Sequence, residues 1–168
     1  MTIYTERTIC KPIVKEDFSN LIDMYLEPDS NKYIEPFRGK TSRYFYYFLN
    51  KKLVQNKISI EFWIVRSKNT NEILGTINLN KVEAIGHHHL GCHLKRKHWN
   101  QGYASELLIK FIQYGFDEKG LEKIYGLVDK NNLVSKKIFK KGGLRYQYNK
   151  RILNSMVEVH CIENQQKK

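Results

Sequence analysis

Gly102 stands between a basic turn and a strongly patterned segment. After it, apolar residues recur at the spacing of one helix face: Ala104, Leu107, Leu108, Phe111 and Ile112. The first amides of a helix have no partner inside the helix, and the helix dipole favours negative charge beside them. Because glycine has no Cβ, an anion such as phosphate can come within hydrogen-bonding distance of those amides. The pattern therefore predicts an anion site at Gly102, with an ordinary turn as the alternative.

Four histidines lie before this turn, on a predicted strand. By strand parity His87, His89 and His93 share one face, whereas His88 faces the other way. Side chains at alternate strand positions can converge on one metal ion. Such histidines are more often ordinary strand-surface residues, so we predict no metal and keep the three-histidine site as an alternative.

Length and composition limit the kinds of protein that this chain can be. Its 168 residues are typical of one domain, so we expect a single domain over residues 1–168. No apolar run approaches the roughly 20 residues that span a bilayer, and no apolar segment follows the first charges, so we expect a cytoplasmic protein without a membrane partner. The net charge of +12, from 29 basic and 17 acidic residues, attracts polyanions. No nucleic-acid-binding motif accompanies this charge, and a nucleic-acid partner is therefore not expected.

The three cysteines, Cys10, Cys92 and Cys161, are far apart and include no CxxC pair. This spacing indicates neither a disulfide framework nor a zinc ribbon. We expect reduced and mostly buried cysteines. An alternative role for Cys92 is that of an acyl-carrying nucleophile.

The first half of the chain is expected to begin with a strand over residues 3–13. Apolar spacing predicts a helix from Phe18 to Leu26, which Pro28 ends, and another from Ser42 to Lys52, with an aromatic loop between them. Residues 60–65 alternate with a period of two, which predicts a strand. A further strand is predicted for residues 73–82, where Gly75 suits a close approach of neighbouring backbones.

The second half alternates strands and helices. The long helix after Gly102 is expected to end at Gly120, followed by a strand at 124–128, a helix at 131–141, and closing strands at 144–148 and 156–162. A strand–helix–strand order confined to this half predicts an α/β (α+β) domain. We expect a mixed central sheet of about six to seven strands, with helices on both faces and a parallel crossover.

Three segments in this order resemble the GNAT superfamily of acetyl-CoA-dependent N-acetyltransferases, in the branch of the RimJ/RimL-type ribosomal-protein enzymes and spermidine acetyltransferases. They are TERTICKPI near the start, LGCHL followed by WNQGYASELL, and LVDKNNLVSKKIFKKGGL. The first resembles the opening strand of that branch, and the others resemble its pyrophosphate motif and its second coenzyme A motif. The resemblance covers essentially the whole chain. It implies a GNAT-like fold, acyltransferase activity and acetyl-CoA (coenzyme A) as the cofactor.

The resemblance also implies which residues bind the coenzyme. The helix start and its neighbouring asparagine would hold the pyrophosphate: Asn100, Gln101, Gly102, Tyr103, Ala104 and Ser105. Asn132 would hydrogen-bond the pantetheine arm or the adenosine side, with Ser135 one turn further on. The thioester would lie against the backbone of Cys92, His93 and Leu94. The candidates for contacting the adenosine phosphates are Lys95, Arg96, Lys97, Lys136, Lys137 and Lys140. A bulky residue at Gly102 is expected to block the coenzyme with little loss of folding.

Phe139 departs from the superfamily pattern. Many members have a tyrosine at this position, whose phenol can protonate the leaving thiolate, and phenylalanine has no proton to donate. Ser135 or a water molecule would then supply the proton, or the step needs no general acid. The usual Gly-Phe ending is Gly143-Leu144 here, which we interpret as a core substitution.

Acetyl transfer needs a neutral nucleophile, whereas alkyl amines titrate near the pKa of lysine, about 10. A general base is therefore expected. His89, at a position where many relatives have a glutamate, is the first candidate because imidazole accepts protons near neutral pH. Glu83 and His93 are the further candidates.

The resemblance places the acceptor against the aromatic loop and the second helix, at Tyr33, Phe37 and Tyr44, although core packing also explains such rings. Acidic residues there are accompanied by basic ones, so the favoured acceptor is a protein N-terminus or a small amine, and a polyamine is less favoured. Both a monomer and a homodimer are compatible with the sequence. The alternative functions are a catalytically silent acyl-CoA-binding or regulatory module and a basic ribosome- or RNA-associated protein.

Overall fold

The computed structural model describes residues 1–165. Within them the α-helices are α1 Phe18–Leu26, α2 Ser42–Gln55, α3 Tyr103–Asp117 and α4 Leu133–Lys141. The strands are β1 Ile3–Tyr4, β2 Thr8–Pro12, β3 Phe62–Ser67, β4 Ile73–Val82, β5 His87–Leu94, β6 Lys123–Asp129, β7 Arg145–Ile152 and β8 Ser155–Glu163. No helix in this part of the chain is long and apolar enough to cross a membrane.

The strands form a mixed sheet in the order β1-β2-β3-β4-β5-β6-β8-β7. Its eight strands exceed the six to seven predicted, because the opening segment is two strands rather than one. Between them the Thr5 Oγ1 accepts a hydrogen bond from the Thr8 N–H at 2.9 Å, and the Thr5 N–H donates to the Thr8 carbonyl at 3.0 Å. This turn folds β1 back against β2 as an antiparallel pair. The β5–β6 pair is parallel, as the crossover prediction requires.

Contacts divide the chain into two compact units. One contains residues 1–78 and 92–103, and the other contains residues 79–91 and the chain from Ala104 onward. A single domain over residues 1–168 therefore stays a prediction, and residues 166–168 of that range lie outside the described part.

In the first unit, α1 and α2 enclose an aromatic core against β3. The buried residues include Leu21, Met24, Tyr25, Phe45, Leu49, Phe62 and Ile64. The prediction that a strand starts at Ile60 is wrong, because the Asn56 side chain accepts hydrogen bonds from the N–H groups of Glu61 and Phe62 and holds the preceding residues in a turn. From Phe62 to Val65 every residue is buried, so β3 is covered on both faces.

In the second unit, α3 buries Leu107, Leu108, Phe111 and Ile112 of the predicted stripe, whereas its fifth member, Ala104, is half-buried. The helix at the chain's second coenzyme motif begins at Leu133, and Asn132 is its N-cap. β7, by contrast, is exposed along most of its length. The apolar periodicity of the sequence therefore identified the buried face of the helix that follows Gly102.

Candidate functional site

The turn before α3 contains two residues in the left-handed conformation. Asn100 and Gly102 both have positive φ, of 59° and 82°, and α3 starts at the next residue, Tyr103. Apart from its neighbours in the chain, the one group of the described residues within 4 Å of a Cβ built at Gly102 is the Arg7 guanidinium, at 3.4 Å, so little protein lies where a side chain would be. An anion such as a diphosphate fits this site. The positive φ also corrects the expectation that a bulky residue here costs little folding stability, because side chains strain the left-handed conformation.

Arg7 holds this turn in place. Its Nη1 donates to the Gln101 carbonyl at 2.9 Å, and its guanidinium lies 4.2 Å from the centre of the Tyr103 ring. Trp99 adds a second support, since its indole N–H donates to the Leu94 carbonyl at 2.8 Å. Sequence reasoning gave neither residue a role. Arg7 is 94 positions from Gln101, and nothing local to it indicates this contact.

The ladder between β5 and β6 is short. Within the residues that the structure describes, it has one register pair, His89 with Tyr125. The antiparallel ladder between β6 and β8, by comparison, runs from Lys123 to Asp129.

Cys92 is exposed, contrary to the expected burial, whereas Cys10 and Cys161 are buried and all three are free. Desolvation, with a smaller effect of Cys10, raises the pKa of its thiol to about 12. A thiol with so high a pKa stays protonated at neutral pH and is a poor nucleophile, which disfavours an acyl-cysteine mechanism.

The His93 side chain is buried and joins β5 to the loop after α1. Its Nε2 lies 2.6 Å from the Ser30 hydroxyl, and the Tyr25 ring meets it edge-on at 5.0 Å. Its Nδ1 has no hydrogen-bond partner among the described atoms. Burial lowers the pKa of His93 to about 4, so the ring is neutral at pH 7.

The buried neutral His93 should make folding sensitive to mild acid. In the unfolded chain His93 binds a proton as the pH falls below about 6.5, whereas in the folded chain it does so only near pH 4. The free energy of unfolding is therefore highest above pH 6.5 and decreases as the pH falls toward 4. We expect the free energy of unfolding to drop by about 2 kcal/mol between pH 7 and pH 5 from this residue. Denaturant titrations of wild type and His93→Gln at the two pH values measure the effect. The variant should lose less stability in acid, and exposed His87→Gln is the control; equal losses in all three proteins would contradict the assignment.

His89 and Glu83 lie in different surroundings. His89 is half-buried within β5, and desolvation lowers its pKa to about 4, so it has an unprotonated nitrogen at neutral pH. Glu83 is exposed in the turn after β4. His87 stacks on the Tyr125 ring at 4.6 Å. No group of three or more histidine, cysteine or acidic side chains in the described chain is arranged to hold a metal ion.

The start of α4 uses its predicted coenzyme residues for capping. The Asn132 Oδ1 accepts the Ser135 N–H at 3.1 Å, which leaves the Asn132 carboxamide nitrogen as its donor group. Of the basic candidates here, Lys136 pairs with Glu158 at 2.5 Å, whereas Lys137 is exposed. Phe139 is buried, and its ring edge occupies the space in which a side chain on Gly126 would lie, so it has a packing role.

A pocket of about 470 Å³ opens in the first unit, in the segment between α1 and α2. Of the predicted acceptor residues, Phe37 lines it and Tyr44 packs edge-on against Phe37 at 6.4 Å. Tyr33 is half-buried with the Lys32 ammonium 5.4 Å from its ring centre. The lining residues are Tyr25, Leu26, Glu27, Asp29, Asn31, Lys32, Phe37, Arg38, Gly39 and Lys40.

Comparison with known proteins identifies similar chains over nearly this whole length. The acetyltransferase (GNAT) domain family matches residues 7–145. An uncharacterized N-acetyltransferase of Bacillus licheniformis, p20, is 32% identical over 164 residues, which cover 89% of this chain and 88% of that protein. A GNAT-family acetyltransferase from Bacillus anthracis has a TM-score of 0.84 at 25% identity, covering 97% of this chain and 98% of that chain. RimL, a ribosomal alpha-N-protein acetyltransferase solved with coenzyme A, has a TM-score of 0.79 at 11% identity and the same two coverages, a likeness of fold alone.

Proposed function

The chain belongs to the GNAT acetyltransferase family, and from this premise we propose that it moves the acetyl group of acetyl-CoA directly to the nitrogen of a primary amine. Members of this family are acyltransferases and use acetyl-CoA. The observation that carries the proposal is the open, left-handed turn at Gly102, which leads straight into the first amides of α3. The acceptor in this proposal is a small amine or a protein N-terminus.

Four parts of the chain are proposed to bind the coenzyme. The amides of Gln101, Gly102, Tyr103, Ala104 and Ser105, beside Asn100, hold the pyrophosphate. The Asn132 carboxamide nitrogen and Ser135 contact the pantetheine arm, and Lys137 meets a phosphate. The backbone of Cys92, His93 and Leu94 lies along the thioester. When bound, acetyl-CoA supplies an activated acetyl group.

Groups of the protein then stabilise the developing negative charge and transfer the protons. The amine nitrogen forms a bond to the acetyl carbon as the carbon–sulfur bond breaks, and the electron pair leaves with sulfur. Backbone N–H groups of β5 would stabilise the oxygen that gains negative charge. His89 would accept the proton that the nitrogen loses, and Ser135 or a water molecule would protonate the sulfur, since Phe139 cannot.

Thiol release across a panel of amines tests this function. We expect His89→Gln to lower kcat by about tenfold to a hundredfold, at or below the lower end of the typical contribution of a general base, because a base with a pKa far below the working pH has a weak driving force. The exposed residue His87, two positions earlier on the same strand, gives the control His87→Gln. An unchanged kcat in His89→Gln would remove His89 from the mechanism.

The same assays separate the alternative functions. A coenzyme-binding module without activity would show a rise in melting temperature with coenzyme A, since a ligand of the native state stabilises it, but no thiol release with any amine. An RNA-associated protein would bind RNA with an affinity that falls steeply with salt. Thiol release that depends on an amine, without salt-sensitive RNA binding, supports the proposed enzyme.

A further inference from the structure

The pocket between α1 and α2 has an excess of basic side chains. Three of its lining residues are basic, Lys32, Arg38 and Lys40, and two are acidic, Glu27 and Asp29. Whether the pocket attracts cations or anions therefore depends on what the two carboxylates already bind.

Both carboxylates are already engaged by Arg96. The Glu27 Oε2 accepts the Arg96 backbone N–H at 2.9 Å, and the Arg96 guanidinium lies 3.8 Å from the Asp29 carboxylate. The guanidinium also donates to the Pro28 carbonyl at 3.0 Å, which ties it to this segment. Because arginine stays protonated in proteins, a bound ammonium would have to compete with a permanent cation for Asp29, and for Glu27 it would have to compete with the backbone N–H of Arg96.

The two lysines of the pocket are placed over aromatic rings. The Lys32 ammonium lies 5.4 Å from the centre of the Tyr33 ring, and the Lys40 ammonium lies 5.3 Å from that of Tyr44. A ring face attracts the charge but accepts no conventional hydrogen bond, so the ammonium N–H groups can still donate to an anion. Tyr33 and Tyr44, two of the predicted acceptor-site residues, therefore support the two lysines.

We propose that the acetyl acceptor is a small amine that also carries a carboxylate or a phosphate, which Lys32 and Lys40 bind. This inference rests on the proposed function.

Four amines of similar length, which differ at the far end, test the charge preference. They are 4-aminobutanoate, 3-aminopropyl phosphate, n-butylamine and 1,4-diaminobutane. We expect kcat/KM for the better of the two anionic amines to exceed that for n-butylamine by about tenfold, the effect of one charge-assisted contact at a partly exposed site. The diamine should be the poorest acceptor. The ranking of the first two amines distinguishes a carboxylate from a phosphate site.

Variants locate the preference in this pocket. Lys32→Gln and Lys40→Gln should each reduce the advantage of the anionic amine severalfold through KM, and Lys40→Glu should shift the preference toward the diamine. Lys57→Gln, at an exposed lysine outside the pocket, is the matched control and should leave the ratio unchanged.

The outcomes separate this inference from the function on which it rests. Equal use of all four amines, or a preference for the diamine, would overturn the anionic-acceptor inference and leave the acetyltransferase intact. If no amine reacts, calorimetry measures how tightly each of the four compounds binds to the protein in the presence of coenzyme A. Equal affinities for the anionic pair and the other two amines would overturn the inference. Failure to bind coenzyme A would instead overturn the proposed function.

Discussion

Replacing Gly102 by valine is expected to weaken coenzyme A binding by about 100-fold or more. Gly102 has a φ of 82°, a conformation that β-branched residues strongly disfavour. The valine methyl groups would also occupy the open space beside the first amides of α3. Loss of about 3 kcal/mol, comparable with one or two hydrogen bonds to a charged group, gives the stated factor. Isothermal titration calorimetry with coenzyme A measures it.

The matched control is Gly86→Val. Gly86 also has a positive φ, of 68°, and nothing lies within 4 Å of its missing Cβ, but it belongs to the turn between β4 and β5. Each variant should therefore lose folding stability through backbone strain, by roughly 1–2 kcal/mol. Only Gly102→Val should lose coenzyme affinity. Equal affinities in the two variants would mean that the phosphates lie elsewhere.

The helix behind this site could be predicted from sequence because its signal is local. The spacing of Leu107, Leu108, Phe111 and Ile112 requires one buried face whatever the rest of the chain does, and those residues are buried. Gly102 was identified for the same reason, since a glycine before an amphipathic helix is visible within a few residues.

The supports of the site could not be predicted, because they depend on distant residues. No local sequence pattern indicates the contact of Arg7 with Gln101 or that of Glu27 with Arg96. The histidines of β5 show the same limit. Parity assigns His87 and His93 to one strand face, but His87 is exposed and His93 is buried against Ser30, since burial depends on what packs over each position.

Phe139 shows how a departure from a family pattern changes meaning once its neighbours are known. Sequence comparison indicated only a lost proton donor. In the structure the ring fills the space over Gly126 and lies 5.5 Å from the His160 ring. The residue therefore contributes packing, and the source of the thiol proton remains one of the proposals above.

Replacing Gly75 by alanine is expected to cost folding stability of about 3 kcal/mol or more. A Cβ at Gly75 would lie 2.1 Å from the His93 carbonyl oxygen and 2.7 Å from the Leu94 Cα, both of them backbone atoms that no rotamer change can move. Relief requires β5 to shift at the residues that lead into the Gly102 turn, so coenzyme affinity should fall too. Gly126→Ala is the matched strand control, because its Cβ would meet side chains, the Phe139 ring at 2.5 Å and Leu144 at 3.0 Å, and no backbone atom is among its nearest described neighbours. Denaturant titrations compare the two, and a Gly75→Ala loss no larger than that of Gly126→Ala would contradict the close approach of β4 and β5.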